Sequence, residues 1–359
     1  RLNIIGFFDL SAYGEKYKYT ANLGMADLVA ALQWIKENIA QFGGDPDNVT
    51  LFGQSGGGGK IQTLLQMPSA EGLFHKAITQ SGFYRVNDLK NAAKALPQAI
   101  FDYLGEKDVA VLETIPYRKL SEAYNAVAPT LRDEGYDVDW HPHPDGEFFL
   151  GGGVQVGFCD WAKTIPTMSG VTFSEFSYGH LPEEPYTMTD KEIDERLTKR
   201  YGTYADELKT LFAAAYPEKP MYELLALDSS FGLPNIQFLD AKAAQSTAPT
   251  YSYMFSYTFP LYGGSPAWHC SEIPYIYHST RKVPVCGEPV VRERLEAQLC
   301  TAFTNFAKYG DPNCAELPRW QPYTKGNEVT MVFDRICETR VDFNRKLTQL
   351  HAKAVKGGR

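Results

Sequence analysis

Apolar residues recur along this chain with two different spacings, and the alternation between them predicts its elements. Over residues 22–41, Leu28, Leu32, Ile35 and Ile39 fall on one face at 3.6-residue spacing, with Phe42 just beyond, which predicts an amphipathic helix. Gly43-Gly44 ends it, and Asp45-Pro46-Asp47-Asn48 turns the chain. Short apolar runs near 49–52, 77–79, 165–171 and 329–333 read as strands, the first of them buried, and the aromatic alternation over 251–257 reads as another. Helical patterning fills the intervals: two or three short helices over 88–128, a charged helical region over 189–246, and a long helix over 288–309. The basic end of the chain predicts a surface helix that frays. Residues 136–150, with Pro142, Pro144 and Gly146, are irregular. Strands that alternate with helices predict an α/β fold around a mostly parallel central sheet.

Composition narrows the picture. A chain of 359 residues, 44% apolar, can bury a large core. The expected organisation is a single domain over 1–359, with 180–246 as a helical, cap-like insertion. The net charge is −8, and Lys and Arg are dispersed, so nucleic acid is not an expected partner. No apolar run approaches the length of a membrane span. The six cysteines are scattered without a CxxC pair, which suits reduced thiols and a cytoplasmic setting. The first six residues, Arg1-Leu2-Asn3-Ile4-Ile5-Gly6, read as the end of a strand without an initiator Met, so the chain is expected to be N-terminally incomplete.

The densest chemical signal is Gly53-Gln54-Ser55-Gly56-Gly57, set between the run 49–52 and a predicted helix start. A Gly-x-Ser-x-Gly in that context is the nucleophile elbow of α/β-hydrolases. The serine occupies a sharp strained turn, and Gly53 and Gly57 are expected to be glycine because side chains there would collide. The following helix directs its positive end at the same point, so the Gly56 N–H is an expected oxyanion donor.

A serine hydroxyl needs a base, and the base needs an orienting acid, in the chain order Ser, acid, His. Of seven histidines, His269 follows the aromatic strand 251–257, where the C-terminal edge of a sheet lies. Glu175 follows the strand 165–171 in the equivalent way. Asp145 and Glu272 are the alternative acids, the first more suited to holding a turn and the second to supporting the His269 loop. His75 reads as structural, His351 lies in the tail, and His180 sits in a loop that lines a pocket. His141 and His143 form an HxH without a further ligand cluster evident in the sequence, so neither a metal nor any other cofactor is expected.

The run from Asn22-Leu23-Gly24 through Trp34-Ile35-Lys36-Glu37-Asn38-Ile39 and Phe42-Gly43-Gly44-Asp45-Pro46 to Gly53 resembles the type-B carboxylesterase and cholinesterase family. The resemblance continues through Gly72-Leu73-Phe74, Gln80-Ser81-Gly82, Asp145-Gly146, the segment from Phe306 to Asn313, and Trp320-Gln321-Pro322-Tyr323. It implies the C-terminal three quarters of a serine esterase that cleaves small-molecule carboxylic esters through an acyl-enzyme, with a Ser55–His269–Glu175 triad. Two alternatives share the fold: a non-catalytic adhesion or binding module, and an amidase or peptidase. Three departures stand out. Gln54 replaces the family's usual Glu, Gly56 replaces its Ala, and Phe176 follows the acid where glycine is usual. The family's His-Gly-Gly oxyanion loop has no match in 1–359, so a missing segment or a second polypeptide is expected to supply it.

Overall fold

The computed structural model describes residues 1–85 and 89–357. They divide into two compact units. The first comprises residues 1–47, 62–74 and 84–156, and the second 48–61, 75–83 and 157–359.

The second unit is built on a six-stranded sheet: β1 (Thr50–Gln54), β2 (Lys76–Gln80), β3 (Thr167–Thr172), β4 (Thr250–Phe255), β5 (Val329–Phe333) and β6 (Glu338–Val341), adjacent in that order. The first five pair in parallel and β6 returns antiparallel on β5. All five strand regions expected from the sequence are present, but β1 is half-buried, with Phe52 exposed, and not the buried strand expected, because it lies at the end of the strand order. Strands β2, β3 and β4 are buried along their whole length, as expected for a parallel sheet covered on both faces, so that even Thr79, Ser169 and Ser252 are buried. β6 escaped the sequence reading because Glu338, Thr339 and Arg340 carry no apolar run.

The charged helical region resolves into helices Asp190–Tyr201, Ala205–Ala215 and Gly232–Gln245. Their apolar residues, including Ile193, Leu197, Leu208 and Phe212, join the same buried cluster as Met168, Tyr253 and Phe255 of the sheet. The charge run 190–196 is the solvated face of the first of them, which opens with a Thr189–Glu192 capping box. Helix Pro289–Tyr309 matches the expected long helix. The terminal helix Arg345–Gly357 is more than a fraying surface element, since Leu347, His351 and Ala354 are buried. His351 accepts or donates to Ser229 Oγ at 2.8 Å and to the Tyr201 hydroxyl at 3.1 Å.

In the first unit, helices Ala95–Leu104 and Tyr117–Asp133 pack with Ile4, Phe8 and Leu10 around a smaller core. These are the main helices of the region read as 88–128, whose first residue lies outside the described ones. The opening residues correct the sequence reading: Asn3–Phe7 is a short helix, with Ile4 and Phe7 buried. Its apolar run is dense enough to suit either element, and length alone did not separate them. A second correction concerns helix Leu23–Asn38, which buries Met25, Val29 and Leu32, whereas Phe42 is 72% exposed. The buried stripe is rotated from the one expected, and only Leu32 belongs to both.

Candidate active site

Ser55 sits between β1 and helix Gly56–Leu64 with φ +57°, a left-handed conformation that costs a non-glycine residue strain and raises its side chain above the strand end. The turn is held by the Ser55 N–H donating to Gln80 O at 2.8 Å and by Gly59 N–H donating to Ser55 O at 3.1 Å. Glycine is required here by contact, though not everywhere that the motif suggests. A Cβ on Gly53 would lie 2.6 Å from the Gly57 backbone, and one on Gly82 only 2.2 Å from Ser55 O. At Gly57, by contrast, a Cβ would meet nothing within 4 Å, so the collision expected at that position does not occur. Gly56 opens the helix, is exposed, and places its N–H where the helix dipole is positive.

Glu175 and His269 come from two loops that are joined through the main chain. The His269 N–H donates to Glu175 O at 2.9 Å, the Ser174 N–H to Ala267 O at 2.8 Å, and Glu175 bridges Trp268 in parallel-strand fashion. Glu175 Oε2 accepts from His269 Nδ1 in a short contact. The other oxygen, Oε1, accepts from Ser81 Oγ at 2.7 Å and from the Thr172 N–H at 2.8 Å. The carboxylate is fully buried, and these donors satisfy it. With Nδ1 donating to Glu175, Nε2 of His269 is the free base.

That lone pair faces Gln54. Its Nε2 lies 3.0 Å from Nε2 of His269, so the amide donates to the imidazole. Among the described residues the Ser55 hydroxyl makes no hydrogen bond to the ring. Phe176 and Phe231 flank the imidazole, with ring centroids 4.4 Å and 5.1 Å away. Asp228 fixes Phe231 by accepting its N–H at 2.8 Å. Burial raises the Asp228 carboxyl, with the Glu175 charge adding to it.

The structure thus places Ser55, Gly56, Glu175 and His269 at adjacent ends of the same sheet. The alternative acids take other roles. Asp145 Oδ1 accepts the N–H groups of Glu147, Phe148 and Phe149, which makes it a turn holder. Glu272 is completely buried three residues beyond His269, and its oxygens find no hydrogen-bond partner among the described residues. Burial pushes its carboxyl up to about 8, and the charge of Glu175 contributes. His75 is structural, accepting the Val49 N–H on Nδ1 at 3.1 Å. His180 is exposed in a short helical turn.

Sequence reasoning missed three participants. Ser81 was visible only as part of a Gln-Ser-Gly that closes a strand. Gln54 was noted as a departure, without its contact to His269. Phe231 lies far from the motifs and carried no signal.

A wall of the neighbouring cavity begins at Trp268. This cavity, about 430 Å³, is lined by Tyr178, Leu181, Pro185, Tyr262, Pro266 and Trp268 among others. It is large enough for a small aromatic ligand. Cys270, Cys286, Cys300, Cys314 and Cys337 carry free thiols. No helix of the described residues is long and apolar enough to cross a membrane.

The chain is 29% identical to the para-nitrobenzyl esterase of Bacillus subtilis (strain 168), matching over 93% of its own length and 68% of the relative's. It is 26% identical to the human cocaine esterase, of whose length it spans 59%. Among solved structures, an esterase from anaerobic Clostridium hathewayi, described as able to hydrolyze aliphatic aromatic polyesters, superimposes with a TM-score of 0.92 at 46% identity. That match covers 99% of this chain and 71% of the other. The family model for carboxylesterases matches residues 1–351. With an elbow serine, a buried glutamate on an imidazole and a mostly parallel sheet beneath them, this chain belongs to the carboxylesterase family, the ester-cleaving enzymes of the α/β-hydrolase fold.

Proposed function

We propose that the chain cleaves carboxylic esters with Ser55 as nucleophile, His269 as general base and Glu175 as the orienting acid. The observation that carries this reading is the Glu175–His269 Nδ1 hydrogen bond, which presents Nε2 toward the elbow that bears Ser55. Ser55 Oγ attacks the ester carbonyl as His269 Nε2 takes its proton. The imidazolium is stabilised by the buried Glu175 carboxylate, and Nε2 then returns the proton to the departing alkoxide. Water repeats the sequence on the acyl-serine. In the resting arrangement the Gln54 amide holds Nε2, so it yields that position when Ser55 engages the ring.

The Gly56 N–H is one oxyanion donor. Further donors are proposed to come from a glycine-rich segment outside residues 1–359, in the same polypeptide or on a second one. This reading is supported by the position of β1, the nucleophile strand, at the margin of the sheet, with Phe52 55% exposed.

The substrate class proposed is esters with an aromatic acyl or alcohol group. Support comes from Phe176 and Phe231 against the imidazole and from the cavity lined by Tyr178, Tyr262 and Trp268. The polyester-hydrolysing relative and the para-nitrobenzyl esterase are consistent with it by name.

A fluorophosphonate probe tests the assignment. It is expected to label Ser55 alone, and Ser55→Ala is expected to lose both labelling and ester hydrolysis while keeping its far-UV circular dichroism. An adduct mapped to another residue overturns the nucleophile.

A further inference from the structure

We propose that Asp137, His141 and His143, in the first compact unit, form a binding site for a divalent transition-metal ion of the zinc class. The sequence shows the HxH, but the third ligand becomes evident only in the fold. One ligand atom from each of the three side chains lies within 4.8 Å of the other two.

The donor set suits such an ion: two imidazoles and a carboxylate, leaving a fourth position to solvent. His141 and His143 flank Pro142, and their rings lie 4.4 Å apart between centroids. The arrangement around His141 suits a ligand. Its Nδ1 is 3.2 Å from Pro142 O and its Nε2 is 2.7 Å from Asp137 Oδ2. With the proton on Nε2 the ring donates to the Asp137 carboxylate. With the proton on Nδ1 it donates to Pro142 O, and the Nε2 lone pair is then directed at the position where Asp137 and His143 converge, as a metal ligand requires. Backbone-anchored Nδ1 with Nε2 facing outward is the arrangement that orients a histidine ligand toward a metal. His143 brings a second imidazole nitrogen within 4.8 Å of the other two ligand atoms and completes a three-ligand set.

The site is also pre-organised. Asn22, fully buried, clamps the His143 backbone on both sides, accepting its N–H on Oδ1 at 3.0 Å and donating Nδ2–H to its carbonyl at 2.7 Å. Asp137 is placed by pairing of the short strand Tyr136–Asp137 with Lys90–Asn91. The Tyr124 hydroxyl donates to Val138 O at 3.0 Å, and its ring packs on Trp140 at 4.3 Å. The Asp137 side chain is 9% exposed and that of His141 22%, so the ligands are largely shielded while one edge stays open. An adjoining cavity of about 20 Å³, lined by Asp9, Asp137 and His143, has room for a water-sized ligand.

The test is zinc titration of the untagged full chain after chelator treatment, by calorimetry and by metal analysis of the dialysed protein. The expected result is one Zn²⁺ per chain, with His141→Ala and His143→Ala each weakening binding by at least about tenfold. Both together should abolish it, and His180→Ala should leave it unchanged. Cobalt loading of the unaltered protein supplies a readout that no folding defect can affect. Four-coordinate d–d absorption without a thiolate-to-cobalt charge-transfer band is expected. A thiolate band, a full zinc equivalent retained by the double variant, or no binding at about 100 µM zinc, far above the range of structural sites, overturns the proposal.

Discussion

The amide of Gln54 stands 3.0 Å from Nε2 of His269, the nitrogen that receives the serine proton in the proposed mechanism. The residue beside the nucleophile and the nucleophile itself therefore compete for one lone pair. Replacing Gln54 with Ala removes the competitor. The expected outcome is a kcat/KM equal to or a fewfold above that of the parent toward an activated aryl ester. A fall of about tenfold or more, the upper end for one lost hydrogen bond between neutral groups, shows instead that Gln54 orients the ring for catalysis.

Gln54→Glu puts a carboxylate against the same nitrogen. An adjacent negative charge favours the imidazolium, and only the neutral ring can act as a base. The acid limb of the kcat/KM profile is thus expected to move to higher pH by on the order of one unit. A profile that superimposes on the parent's removes the argument.

Ser81 is expected to be a positioning residue. Ser81→Ala deletes the 2.7 Å donor to Glu175 Oε1 and leaves a buried carboxylate oxygen with the Thr172 N–H alone. Loss of a hydrogen bond to a charged group corresponds to about 1.5–3 kcal/mol, or roughly ten- to a hundredfold in kcat, with KM little changed. Steady-state kinetics with a soluble aryl ester separate the two. An effect confined to KM argues against action through the acid.

Two glycine substitutions are expected to diverge. Gly56→Ala meets only the far end of Lys60, at 3.7 Å, and replaces a helical glycine, so Tm is expected to rise slightly with activity kept. Gly82→Ala drives a methyl group to 2.2 Å from Ser55 O and is expected to lower Tm and displace the elbow. Thermal melts of the two side by side check the contact, and equal behaviour refutes it.

Glu272 gives a pH-dependent prediction. Its carboxyl is pushed up to about 8 from an ordinary value near 4.5. Between these values the folded chain keeps a proton that the unfolded chain has lost. Stability therefore falls as pH rises through that window and levels above it. Glu272→Gln removes the term, so Tm of the variant minus that of the parent is expected to be larger at pH 9 than at pH 5, by several degrees. A constant difference contradicts it.

The legible parts of this molecule share a physical cause. Strands β2, β3 and β4 are buried on both faces and stand out as short apolar or aromatic stretches between turns and helical segments. Ser55 directly follows β1, Glu175 lies three residues past β3, and His269 sits in the loop that follows β4, so order along the chain points to the site. What escaped depends on contacts between distant segments. Gln54 meets His269 across 215 residues, and Asn22 holds His143 across 121. No local pattern encodes such pairs. The short helix Asn3–Phe7 failed for a different reason, since five residues carry too little periodicity to separate it from a strand.

The main-chain stitching of the Glu175 and His269 loops has a mechanical consequence. Because main-chain hydrogen bonds join the two loops, the spacing of acid and base is set by the backbone as well as by their side chains. Aligning the proposed triad then leaves one contact to form, between Ser55 and an imidazole nitrogen that Gln54 holds in this structure.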